Sequence, residues 1–265
     1  MRESFPPRKR FGQHFLHDPQ IVRRIIAAFS PRPGEAVVEI GPGQGVLTRE
    51  LLPLVTRLHV VELDRDLVSR LQIEFAQEEK LVVHSADALE FDFSKLAPAG
   101  TKLRIIGNLP YNISTPLLFH LLEHAAIIQD MLFMLQKEVV DRLSAGPGEK
   151  DYGRLSVMIQ SRCEVEGLFT VGSGAFRPAP KVDSAMVALR PYRVPPVRIA
   201  DRQVFADVVR AAFAHRRKTL RNNLKDLLPV ELISASGIDP ARRAETLSLA
   251  EFAALSNLLA QGRNA

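Results

Sequence analysis

The residues best suited to chemistry stand at the ends of short apolar runs. Ile106-Gly107-Asn108-Leu109-Pro110-Tyr111-Asn112 closes one such run and is the most informative segment of the chain. An asparagine, a proline-stiffened turn and an aromatic at a strand end suit one problem, methylation of the exocyclic amine of adenine. That nitrogen is a poor nucleophile because its lone pair is delocalised into the ring. The Asn108 side-chain carbonyl and the Leu109 main-chain carbonyl can each accept one of its N–H bonds. Held so, the nitrogen is favoured as a pyramid with its lone pair directed at a methyl donor. Tyr111 would stack on the base and fix its plane. No metal and no strongly shifted general base is required, since positioning and oriented dipoles supply the gain. The competing reading is a plain Asn-Pro turn with a packing tyrosine.

A second constellation lies upstream. Glu39-Ile40-Gly41-Pro42-Gly43-Gln44-Gly45 ends an apolar run and leads into a helical pattern. Glycines there let the backbone approach a nucleotide-like ligand without a Cβ clash. Glu62 stands 21 positions after Gly41, at the end of the next run. That is where a carboxylate accepts bonds from ribose hydroxyls. Asp87 closes a third run, and its carboxylate suits an adenine amino group or, equally, a helix cap. The turn reads G-x-G-x-G, which departs from the G-x-G-x-x-G of NAD enzymes, and no Lys-Ser or Lys-Thr follows it as in an ATP-type loop. Glu39 adds negative charge beside the turn, so an adenosine bearing a cation fits better, as in S-adenosylmethionine.

Other reactive residue types take plainer readings. Cys163 is alone, so the chain forms no internal disulfide, and its apolar setting marks a buried thiol. His120 and His124 share a helix face but lack a third ligand, so no metal is expected. The chain has 265 residues, 46% hydrophobic, with 35 Lys+Arg against 30 Asp+Glu. Residues 191–265 hold 12 of the basic and 7 of the acidic residues, so the whole excess lies there. Within it Arg216, Arg217, Lys218 and Arg221 crowd one helix end and turn, a candidate contact for RNA phosphates. Arg8, Lys9 and Arg10 form a smaller basic lead. Nothing reads as a signal peptide or a membrane span, so a cytoplasmic protein with no membrane partner is expected.

The elements that must position these groups follow from periodicity. Helical spacing covers Pro19–Phe29. Short runs rich in Val, Leu and Ile follow at Ala36–Ile40, Leu58–Val61, Leu81–His84 and Leu103–Ile106. Helix-length stretches such as Val46–Leu54 and Arg65–Gln77 separate them, which predicts parallel strands buried on both faces of an α/β sheet. Further strands are expected at Met131–Leu135, Ser156–Glu166 and Ser184–Leu189, the last two as an antiparallel pair at one edge. Prolines in Arg190–Pro196 mark the domain boundary, giving a domain over 1–192 and another over 193–265. The second is expected to be all helical, with helices at Asp201–His215, Lys218–Leu228, Pro229–Ser236 and Ser248–Gln261. Ser248 and Glu251 offer a capping box for the last.

Five motifs now stand in order: Arg10–Leu16, Glu39–Gly45, Val61–Asp64, Asn108–Thr115 and Phe176–Ser184. Together they resemble the ribosomal RNA adenine N6,N6-dimethyltransferase family, and within it the bacterial small-subunit (16S) branch. The resemblance implies a Rossmann-like class I methyltransferase domain with a mostly parallel sheet, followed by a small all-helical C-terminal domain that binds rRNA. It implies dimethylation of two adjacent adenines near the 3′ end of small-subunit rRNA by S-adenosylmethionine, during subunit biogenesis, by a monomer. By the same resemblance His14 and Leu16 contact the cofactor, Gly41 lines its methionine side, Glu62 holds the ribose and Asp87 the adenine amine. Asn108 lies at the cofactor–substrate junction, Tyr111 stacks on the target, and Phe176 closes over the flipped base from the other face. Many relatives carry Asn at the position of His14, and a Gly before Asp87 where this chain has Ala86. The nearest rival is the large-subunit rRNA methyltransferase of macrolide resistance. A non-catalytic checkpoint in pre-ribosome assembly is the alternative from another class, with an NAD oxidoreductase more distant.

Overall fold

In a computed structural model, residues 13–97 and 100–263 are described; the basic lead at Arg8, Lys9 and Arg10 lies outside them. Among the described residues nine strands follow in chain order: β1 (Phe15–Leu16), β2 (Ala36–Ile40), β3 (Arg57–Glu62), β4 (Leu81–Ser85), β5 (Leu103–Asn108), β6 (Ile128–Gln136), β7 (Cys163–Val171), β8 (Phe176–Arg177) and β9 (Ser184–Pro191). Seven of them form one sheet in the order β4-β3-β2-β5-β6-β9-β7, while β1 and β8 make a separate antiparallel ribbon. Strands β4, β3, β2, β5 and β6 run parallel, and β9 runs antiparallel to β6. All five residues of β2 are buried. Burial on both faces is why its sequence is continuously apolar instead of alternating.

Helices α1 (Pro19–Phe29), α2 (Val46–Leu51), α3 (Arg65–Glu74) and α4 (Ser114–Glu123) connect or flank these strands. Asp18 starts α1 by accepting from the N–H groups of Gln20 and Ile21, and Ser30 ends it in a left-handed conformation. Arg104, early in β5, donates to Asp130, Glu35 and the Phe29 carbonyl at 2.7–2.9 Å. That buried fork fixes the end of β5 opposite Asn108. The chain leaves β2 toward β3 on one side and returns at β5 on the other. The strand order therefore reverses between β2 and β5, where open α/β sheets hold ligands beyond the strands' carboxyl ends.

Helices α5 (Lys137–Ser144), α6 (Arg154–Gln160), α7 (Arg202–Ala212), α8 (Leu220–Leu224), α9 (Val230–Ala235) and α10 (Leu249–Arg263) complete the chain. The chain divides into two compact units. One runs through Val140 and adds Glu166–Pro191; the other joins Asp141–Val165 to Tyr192–Ala265. The expected boundary at 192 thus meets a finding: 25 residues upstream of it belong with the C-terminal segment. The physical reason is a shared core, in which Ala145, Tyr152 and Val157 pack with Val204, Phe205, Leu220 and Phe252. The Tyr152 hydroxyl donates to the Leu247 carbonyl at 2.9 Å. The expected strand over Ser156–Glu166 is likewise divided, its first half being α6 and its second the start of β7. In α6 the buried Leu155, Val157 and Ile159 mimic strand alternation over a helix of only two turns. The box expected at α10 is present, with Ser248 N–H on the Glu251 carboxylate at 2.7 Å and Glu251 N–H on the Ser248 hydroxyl at 3.3 Å. Among the described residues no helix is long and apolar enough to cross a membrane.

Candidate active site

A cavity of about 300 Å³ opens at the carboxyl ends of β2, β3 and β5. Its floor is the glycine turn after β2. Gly41, Gly43 and Gly45 all have φ between 56° and 71°, a region L side chains avoid. A Cβ on Gly43 would also come within 3.2 Å of the Phe15 ring. The turn is therefore built from main chain, and a ligand meets backbone without side-chain obstruction.

Glu62 ends β3 beside it. The Gly43 N–H donates to Glu62 Oε2 at 3.2 Å and the Asp64 N–H to Oε1 at 2.9 Å. Each oxygen keeps a lone pair for a hydroxyl, which is what a ribose diol requires. Asp87 lines the same cavity and also caps the turn after β4, accepting from Leu89 N–H at 2.9 Å. Its two readings are compatible, because one oxygen makes the cap and the other accepts no bond among the described residues. Glu39 is 1% exposed and accepts from the Thr48 hydroxyl at 2.6 Å. Burial, reinforced by the neighbouring Glu62, pushes its carboxyl up to about 8. It is thus mostly protonated at neutral pH, so the charge expected beside the turn is largely neutralised in the free protein. Glu62 is also raised, by burial opposed by main-chain hydrogen bonds from Asp64, Gly43 and Leu63.

On the other wall, Asn108 ends β5 and its Nδ2 donates to the His14 carbonyl at 3.1 Å. Leu109 follows, 1% exposed, with its N–H on the Met134 carbonyl. Tyr111 is half-buried; its hydroxyl lies 2.8 Å from Ser184 Oγ and its ring stacks on His14 with centroids 5.7 Å apart. Gly107 permits this wall. A Cβ there would meet the Ile40 carbonyl at 2.5 Å, so only glycine lets β5 close on β2 beside the site.

The cavity brings together His14, Leu16, Gly41, Glu62, Asp87, Asn108, Leu109 and Tyr111. It does not bring Phe176, which is 2% exposed, pairs with Leu16 across the β1–β8 ribbon and packs with Val22, Ile25 and Met186. Sequence reasoning gave no role to Gln13, Thr48 or Ser184. Gln13 Nε2 reaches Asp64 at 3.1 Å, so the segment ahead of β1 is tied to the end of β3. Gln13 and Ser184 sit inside quoted motifs, which was the available signal; Thr48 carried none. His120 and His124 pack edge to face, 5.2 Å apart, and His120 Nε2 lies 2.9 Å from the Phe91 carbonyl. Cys163 is buried and its thiol is pushed up to about 12.

In the second unit the four basic residues fall in two groups. Arg216 is engaged, donating to Glu245 at 3.1 Å and to the Lys150 carbonyl. Arg217, Lys218 and Arg221 are exposed. Arg221 is on α8, and the loop ahead of it, with Arg217 and Lys218, is pinned by Asn223 Nδ2, which donates to the Ala212 and His215 carbonyls.

A glycine turn, a pinned carboxylate, a second acid and a deep cavity at the switch point together fit an adenosine with an attached cation. Comparison with known proteins agrees. A family model described as ribosomal RNA adenine dimethylase matches residues 5–261. A protein named ribosomal RNA small subunit methyltransferase A from Pseudomonas aeruginosa is 57% identical over 254 residues, covering 96% of this chain and 95% of that protein. Its namesake from Pseudomonas putida is 55% identical over 258 residues, covering 97% of each. Among solved structures, a dimethyladenosine transferase from Plasmodium falciparum superposes with a TM-score of 0.79 at 26% identity, covering 91% of this chain and 96% of that one. The 23S rRNA methyltransferase ErmE gives 0.73 at 26%, covering 93% and 100%.

Proposed function

This chain belongs to the ribosomal RNA adenine dimethylase family, and from that premise we propose that it dimethylates two adjacent adenines near the 3′ end of small-subunit (16S) rRNA. The observation that carries the reading is Asn108 on the wall of the cavity that Glu62 and Asp87 also line, with its amide oxygen unengaged among the described residues. S-adenosylmethionine, when bound, supplies an electrophilic methyl group. Glu62 would hold its ribose hydroxyls, Asp87 its adenine amine, and Gly41 would lie along its methionine part. His14 and Leu16 wall the chamber. The target adenine must leave its stack to reach this depth. Asn108 Oδ1 and the Leu109 carbonyl accept its two N6–H bonds and turn the nitrogen lone pair inward, while Tyr111 stacks on the base. Phe176 supports this wall from beneath in the present arrangement; closure over the base from the other face would require its ring to move. The proton lost after each transfer needs no dedicated base, because the alkylated amine is acidic. Arg217, Lys218 and Arg221 contact phosphates, with Arg216 holding the loop ahead of α8, so rRNA affinity is salt-sensitive. A cytoplasmic monomer acting on the nascent small subunit is the setting that fits this substrate.

The small-subunit substrate is preferred over the large because the curated relatives at 55–57% identity carry that name, against 26% for the 23S enzyme. Unmodified small and large subunits, offered separately with labelled cofactor and then digested, test it. N6,N6-dimethyladenosine from small-subunit rRNA is expected. Its absence, with cofactor binding intact, overturns the reaction, and label only in the large subunit overturns the substrate. Asn108→Ala is expected to lower kcat by about 100-fold or more while cofactor Kd changes by less than about threefold. Equal losses in both would remove Asn108 from the chemical step.

A further inference from the structure

His14 lines the cavity, and three of its groups also engage other parts of the protein. Its Nδ1 lies 2.8 Å from the Pro178 carbonyl, an acceptor only, so Nδ1 carries the proton and donates. Its ring stacks on Tyr111 with planes 29° apart. Its own carbonyl accepts from Asn108 Nδ2. The residue thus joins two segments far from it and from each other in sequence: the β8 exit at Pro178, and the end of β5 with its following turn, Asn108 to Tyr111.

We propose that His14 is a positioning residue for the methyl transfer, which sets Asn108 and Tyr111 through its carbonyl and imidazole. The proposal rests on the adenine-methylation reading above. An amide side chain is two-faced, and either its oxygen or its nitrogen can point at substrate. A donor pointed at the target amine would repel its N–H bonds. The His14 carbonyl removes that ambiguity, because it engages Nδ2 and leaves Oδ1 as the acceptor. Tyr111 is fixed from two directions, by Ser184 Oγ at its hydroxyl and by the His14 ring on one face. A base would then stack on the face opposite His14, which limits stacking to one side of Tyr111. The bond to Pro178 also ties this pair to the ribbon, where Phe15 and Leu16 pair with Arg177 and Phe176. An asparagine at this position can supply the same carbonyl and a donor, but no ring for Tyr111. The histidine of this chain therefore adds a stacking contact to the hydrogen bonds.

Nitrogen-15 spectra of the full-length protein with labelled histidines test the clamp without turnover. A protonated Nδ1 at His14 is expected, and an Nε2–H tautomer overturns the clamp. Steady-state methylation of small subunits, with cofactor affinity from calorimetry, tests its consequence. His14→Ala is expected to lower kcat about tenfold while cofactor Kd stays within about threefold. His14→Phe keeps the ring and His14→Asn keeps a donor, so each should recover part of the lost kcat. If His14→Ala does not fold, those two variants carry the comparison against wild type. A fall in cofactor affinity that matches the fall in kcat overturns the proposal, as does wild-type kcat in a variant lacking both ring and donor. Should the wild type make no dimethyladenosine, the reaction reading fails alone, and the tautomer still decides the clamp.

Discussion

At the scale of single residues, Glu39 and Glu62 share one cavity but are held differently. Glu62 accepts from main-chain N–H groups at both oxygens, whereas Glu39, fully buried, accepts among the described residues from the Thr48 hydroxyl. Glu39 in the folded protein keeps its proton to about 8 against an ordinary 4.5. Its contribution to stability is therefore fully present below about 4.5 and is lost as pH rises through about 8. The slope in that window is about 1.4 kcal/mol per pH unit for one such proton. Glu39→Gln keeps a neutral side chain of the same shape, so urea unfolding of the free protein should lose that slope. A variant whose stability still falls with pH as steeply as the wild type would place the slope elsewhere. Glu62, Asp87 and Asn108 were legible in the sequence because each ends an apolar run, and a parallel sheet collects such ends on one edge. Thr48 was not legible as a partner of Glu39, since their meeting depends on how α2 turns after the glycines. The orientation of His14 was hidden for the same reason: its bonds go to Pro178 and Asn108, 164 and 94 positions away.

Elements place those residues, and the closest fit is between β2 and β5. Ile40 and Gly107 are partners across the pair, and the missing Cβ of Gly107 leaves room for the Ile40 carbonyl. Gly107→Ala should push the two strand ends apart, at a cost of about 2–4 kcal/mol for a strained buried backbone. A thermal midpoint several degrees lower, with kcat reduced more than the fraction unfolded explains, is the expected result. An unchanged midpoint would show that the strands part without strain. The parallel strands were readable in advance because each is a continuous apolar run bounded by turn residues. The ribbon of β1 and β8 was not, since two-residue strands carry no periodicity. Phe176 shows the effect: its motif marked it as an aromatic for the base, while the ribbon sets it into the core beneath Leu16. The division of Ser156–Glu166 has a related cause. Seven residues of helix are too few to separate a 3.6-residue period from alternation.

Across the whole molecule, charge is arranged by unit. The basic excess of the chain lies in residues 191–265, and its exposed members include Arg217, Lys218 and Arg221. Replacing these three with alanine should weaken rRNA binding and lower the slope of log affinity against log salt by about 2–3. Cofactor affinity measured on the same variant should stay unchanged; an unaltered slope would move phosphate contact to other residues. The composition shift at the proline run was visible in the sequence, but the earlier segment of the second unit was not. Ala145, Tyr152 and Val157 look like core residues of any unit, and only their packing assigns them. This discontinuity bears on how the protein is made. Tyr152 leaves the ribosome 95 residues ahead of Leu247, the carbonyl it will bind. At about 5–20 residues per second, that is a wait of about 5–20 s with an aromatic side chain uncovered. The first unit's last strands are synthesised within that interval, so the sheet can close while the helical unit is still incomplete. An enzyme that modifies ribosomal RNA would thus spend several seconds of its own synthesis with its second unit's early segment waiting for the rest.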